Sequence, residues 1–142
     1  MNCKEILLAG MVPAEGKVLH PVQVQKLFFL VDQHVGNLIG GPYFNFTAGD
    51  YGPVDFQIYS LLKDLAEEDK AIVQREFLIN SCSYRLTVSG QKEGETILSQ
   101  LPLIAQEHIK KLCKWILPLG FPEIISTIYK NFPEMKVNSV FQ

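Results

Sequence analysis

The sequence predicts a mostly helical α+β protein: a winged helix-turn-helix-like core, a small β hairpin and a helical C-terminal extension. Three observations carry that expectation. Three runs with helical spacing of apolar residues precede residue 67, two β-type runs separated by a turn follow, and helical spacing then resumes. At 142 residues the chain fits one domain, large enough to bury a core without staples. We read it as a single unit over 1–142, with the winged-helix-like core at about 1–88 and the C-terminal helices at about 89–142.

The first helix is expected from Lys4 to Val12, where Pro13 stops it because proline disfavours helix at the residue before it. Pro21 opens a second helix that Gly36 ends. Val24, Leu27, Phe28, Val31 and Val35 share one face of that helix; Phe29 and Leu30 lie off the stripe, so it is expected to be covered on two sides. "NLIGGPYFNF" reads as a loop with a short extended segment. The stretch "GDYGPVDFQIYSLLKDL" predicts a sharp bend leading straight into a helix from Pro53 to Ala66. Gly52 can adopt backbone angles closed to other residues and lets a neighbour approach closely. Pro53 gives up an N–H that a helix start leaves unpaired, and Asp55 complements the positive end of the helix dipole. Val54, Ile58, Leu61, Leu62 and Leu65 form the expected buried stripe. Phe56, Ser60, Lys63 and Glu67 face outward with Tyr59 on the shoulder, so Phe56 is an aromatic that the core does not need.

"AIVQREFLI" (71–79) and "SYRLT" (83–87) are expected to pair as a hairpin, turning at Asn80 and Ser81. Thr87 or Ser89 can cap a helix over 89–100. Pro102 separates it from a helix at Leu103–Leu117, with Ala105, Ile109, Leu112 and Ile116 inward and Glu107, Lys110, Lys111 and Lys114 outward. A last helix places Phe121, Ile124, Ile125, Ile128 and Phe132 on one face.

Charge argues against a nucleic-acid surface. The net charge is −2, and between Pro53 and Asp69 the only basic residue is Lys63, against Asp55, Asp64, Glu67, Glu68 and Asp69. A third helix so charged would be repelled by the phosphates of the groove it reads. Arg75 and Arg85 are the basic residues of the expected hairpin. The remaining basic patch, Lys110, Lys111 and Lys114, reads as a solvated helix face helped by Glu107, with nucleic-acid binding as the alternative. Three widely spaced cysteines, Cys3, Cys82 and Cys113, read as reduced thiols of a cytoplasmic protein. No signal peptide is expected at "MNCKEILLAGMVPAEG", and no apolar run is long enough to span a bilayer, so no membrane role is expected.

Catalytic, metal and cofactor motifs are not found. His20, His34 and His108 sit on separate elements without metal-ligand spacing. "SGQKEG" is not a phosphate loop, there is no G-x-S-x-G elbow, and Asp32 and His34 point to different faces of one helix. No catalytic residue, cofactor or metal ligand is therefore assigned, and the chain is expected not to be an enzyme. Tyr43, Phe44, Phe46 and Tyr51 are expected mostly in the core, although aromatics of this kind also anchor protein partners. The candidate partner-binding set is Tyr51, Gly52, Pro53, Phe56, Tyr59 and Lys63.

Four stretches, "VQKLFFLVDQ", "YGPVDFQIYSLLKDL", "YRLTVSGQ" and "YKNFPEMKVNSVF", resemble the Panacea (SocA-like) antitoxin domain family and the related YwgA-type proteins. The likeness extends over most of the chain. Its most specific part is the Gly-Pro-Val step, and Gln25, Lys26 and Leu27 match the helix pattern of the family. The resemblance implies a non-enzymatic module that neutralises a toxin, by direct binding or by delivery to a protease. The alternative is a winged-helix transcription regulator that binds DNA through the third helix or the lysine stripe.

Overall fold

The computed structural model describes residues 1–76 and 81–141. In chain order it contains α1 (Cys3–Met11), α2 (Pro21–Val35), β1 (Thr47–Gly49), β2 (Gly52–Val54), α3 (Gln57–Glu67), β3 (Ala71–Glu76), β4 (Ser81–Leu86), α4 (Val88–Ser99), α5 (Leu103–Ile116) and α6 (Phe121–Asn131). Helix dominates, and β1–β2 and β3–β4 form two separate antiparallel sheets, which is an α+β architecture.

Local chemistry sets the helix ends. Asn2 and Glu5 cap α1 reciprocally, each side-chain oxygen accepting from the other's backbone N–H at 2.9 Å. Val12, Pro13 and Ala14 then tighten into a 3-10 turn. Every residue from Ile6 to Met11 is buried, so α1 runs through the centre of the protein, against α2, α3, α4 and α5. Helix α2 opens on Pro21 as expected, and Gln23 reaches back to accept from the His20 N–H at 2.8 Å. Phe29 and Leu30 are buried along with Val24, Leu27, Phe28, Val31 and Val35, so the helix is covered on two sides. Phe28 and Phe29 are fully buried, each contributing about 2–3 kcal/mol. Their rings meet Phe44 and Phe46 edge-on at 5.9 and 5.5 Å.

The Gly-Pro segment differs from expectation. Pro53 and Val54 belong to strand β2, which pairs with β1 in the register Thr47–Val54, Ala48–Pro53 and Gly49–Gly52. The helix begins only at Gln57. Asp50 and Tyr51 form a two-residue hairpin loop between two glycines. Pro53 is tolerated because both strands of a two-stranded sheet are edges, and an edge position does not require its N–H. Asp55 still serves the helix start from just outside it: Oδ1 accepts from the Gln57 N–H at 3.0 Å and Oδ2 from the Asn45 N–H at 2.9 Å. Of the expected stripe, Ile58, Leu62 and Leu65 are buried, whereas Val54 and Leu61 are half-buried.

Strands β3 and β4 pair from Ala71–Leu86 to Glu76–Ser81. Ser81, expected in the turn, is therefore a ladder residue. Phe77, Leu78 and Ile79, expected in the first strand, and Asn80, expected in its turn, lie outside the described residues. Leu19, between α1 and α2, adds an isolated bridge to β4, exchanging N–H···O bonds of 2.7 and 2.8 Å with Tyr84. Of the two capping candidates, Thr87 caps α4, accepting from the Gly90 N–H at 3.0 Å. Ala105, Ile109 and Ile116 of α5 are buried as expected; Cys113 joins them and Leu112 is half-buried. In α6, Ile124, Ile125 and Ile128 are buried, and Phe132 stands edge-on to Phe29 at 4.8 Å. Among the described residues, no helix is long and apolar enough to cross a membrane.

Candidate functional site

Two neighbouring polar side chains on α2 build the site. The Gln25 amide pairs with the main chain of Asp55: its Nε2 donates to the Asp55 carbonyl at 3.0 Å, and its Oε1 accepts from the Asp55 N–H at 2.9 Å. The Lys26 Nζ donates to the Pro53 carbonyl at 3.0 Å. The "VQKL" and "YGPVD" stretches, 27 to 30 positions apart in sequence, are thus hydrogen-bonded to each other. Extended chain that a longer helix would have absorbed finds its backbone partners in these side chains.

Gly52 completes the joint. Its φ of +92° lies in the region that favours glycine. A Cβ there would sit 3.2 Å from Cε1 of Tyr129 on α6 and 3.8 Å from Cε of Lys26, so the backbone packs where a side chain would crowd it. The C-terminal tail ties the same hairpin down: the Val140 N–H donates to the Asp50 carbonyl and the Asn138 amide to the Ala48 carbonyl, both at 2.9 Å.

Between the start of α2, the β1–β2 hairpin, the start of α3 and Phe121 of α6 lies a groove of about 720 Å³. Its walls are mostly apolar. Tyr51 meets Phe121 edge-on at 5.2 Å on one side. On the other, Phe56 leans on Tyr59 at 6.3 Å, and Tyr59 stacks on Tyr84 at 5.9 Å. Phe56 is 72% exposed and Tyr51 49%. Lys26 lines the groove yet is only 4% exposed. Burial lowers its pKa to about 8, and no carboxylate lies within ion-pairing distance of it among the described residues. Burial also raises the Tyr59 hydroxyl above its ordinary range.

The structure brings Tyr51, Gly52, Phe56 and Tyr59 together around this groove. Pro53 is buried and acts through its carbonyl, and Lys63 is exposed on α3 outside the lining. The lysine stripe stands elsewhere: Lys110, Lys111 and Lys114 are exposed on α5, beside the exposed Leu103, Ile104 and Trp115. Gln25 and Lys26 were not among the expected site residues. A signal existed, because Val22, Lys26 and Phe29 share helical i, i+4, i+7 spacing, which places the lysine on the second covered side of α2.

Chemically, the groove can hold an apolar group and satisfy one negative charge. Cys3 and Cys113 are poorly suited to nucleophilic work: burial raises Cys3, with Asp32 and Asp55 adding to it, and pushes Cys113 up to about 12. Among the described residues, no group of three His, Cys, Asp or Glu side chains is placed to hold a metal ion. No known protein-family model matches the chain, and no curated protein is significantly similar to it in sequence.

Proposed function

We propose that this protein is a non-enzymatic interaction module, antitoxin-like, that docks a partner protein through the groove and its aromatic rim. The observation that carries the reading is Phe56, an aromatic 72% exposed at the mouth of an apolar groove and unnecessary to the core. Tyr51 and Tyr59 are fixed by ring contacts on either side, so little side-chain freedom is lost on binding. The resemblance to Panacea domains makes the partner a toxin, neutralised by direct occupation or by delivery to a protease. Co-expression with the neighbouring gene, scored for rescue of growth, tests the biological role. Phe56→Ala tests the surface, and a rescue that survives this substitution at unchanged expression would remove the groove from the proposal.

A second reading, a winged-helix DNA-binding regulator, draws on the order α1, α2, α3, β3, β4 and on the Leu19–Tyr84 bridge, which stands where such a core places its first strand. Against it, Asp64 and Glu67 are exposed on α3 and Glu68 just past its end, where phosphates would lie. Duplex binding that weakens steeply with salt and requires Lys110, Lys111 and Lys114 would favour this reading over docking.

A further inference from the structure

A lysine hidden from solvent, with no counter-charge among the described residues, is a costly way to hold one carbonyl. Lys26 has three donors, and the Pro53 carbonyl occupies one of them. An apolar side chain of similar length would fill the same space without the desolvation of a cation. Gln25, one position away, already secures the joint through two bonds to Asp55. Lys26 also lines a large, mostly apolar groove, and among the described residues no carboxylate comes within ion-pairing distance of it.

We propose that the groove recognises an acidic side chain, aspartate or glutamate, flanked by apolar residues on the docking segment of a partner protein, with Lys26 supplying the cation that pairs with it. This inference rests on the docking reading above. Apolar neighbours of the acid fill the space between the Tyr51–Phe121 and Phe56–Tyr59 pairs, while the carboxylate reaches down to Nζ. The cation is desolvated before the partner arrives, so the pair forms without stripping water from the lysine at the moment of binding. The acid confers selectivity: a segment with an amide in its place leaves Lys26 without its counter-charge.

Selection of a random linear peptide library on the immobilised full chain tests this directly. The expected result is an enriched motif with an acidic position between apolar or aromatic ones. Replacing that acid by its amide in a synthetic peptide should weaken binding at least tenfold, and carbodiimide coupling should join its carboxylate to the Lys26 amine, located by mass spectrometry. With Lys26→Met the acid and amide peptides should bind alike; if that variant does not fold, the coupling site on the wild-type chain decides. Enriched peptides that need Phe56 but show no acidic position, or that couple to another lysine, overturn the inference and leave the docking reading intact. Failure to enrich any peptide that depends on Phe56 counts against the docking reading itself, and the inference falls with it.

Discussion

The groove face and the outer face of α5 expose similar side chains and differ in everything that makes a site. Both present large apolar residues: Tyr51 and Phe56 in one, Leu103, Ile104 and Trp115 in the other. Both carry lysine. On α5 the three lysines project from a single helix into solvent, where an ammonium is well hydrated and salt screens it. At the groove α2, β1, β2, α3, β4 and α6 converge, rings are held against one another, and the single lysine is buried. Exposure of apolar surface alone is ordinary. Concavity, fixed aromatics and a desolvated charge together distinguish the groove.

That contrast can be broken at several points. The largest effect is expected at the hinge of the hairpin. Gly52→Val forces a β-branched residue into positive φ and its Cβ toward Tyr129, which should cost about 4 kcal/mol from strain and overpacking. Urea denaturation measures it; a loss below about 1 kcal/mol would mean that the hairpin is not held as described.

Next comes the buried charge. The pKa of Lys26 is lowered from 10.5 to about 8 in the folded protein. Between those values the unfolded chain binds more protons, so stability rises with pH across that window and is lost as pH falls toward 8. The Lys26 contribution to this rise is about 3 kcal/mol. It should vanish in Lys26→Met, so the difference between wild type and variant, followed by denaturation at pH 8 and 10.5, isolates it from tyrosine and cysteine titration. Parallel pH profiles for the two proteins would show that Lys26 is solvated.

Smaller again, Phe56→Ala should weaken partner binding by about 2 kcal/mol while changing stability by no more than about 0.5 kcal/mol. A large stability loss would turn Phe56 into a core residue. The smallest effect belongs to the other face: replacing Lys110, Lys111 and Lys114 together by alanine should shift stability by less than about 1 kcal/mol and leave partner affinity unchanged.

What the sequence disclosed follows from how local each determinant is. Helices α1, α2, α5 and α6 were legible because proline, capping residues and apolar spacing act within one or two turns. The exposure of Phe56 was legible for the same reason, as the residue opposite the Ile58–Leu62–Leu65 stripe. The β1–β2 hairpin was not. Its sequence is poor in strand formers, and Pro53 fits a helix start as well as an edge strand. The clue was the pair Gly49 and Gly52 bracketing Asp50 and Tyr51, a spacing suited to a two-residue hairpin loop. What decides between helix and strand there is non-local: Gln25 and Lys26, on another helix, take the backbone groups of Pro53 and Asp55. The same non-locality hid Lys26, since periodicity gives the face a residue occupies but not what covers it.

The most direct measurement is hydroxyl-radical footprinting of the chain, alone and in complex with the product of the neighbouring gene. Docking through the groove predicts that Tyr51 and Phe56 become protected from oxidation in the complex while Trp115 and Leu103 on α5 stay as reactive as in the free protein. Protection of Trp115 and Leu103 with Tyr51 and Phe56 unchanged would contradict the account.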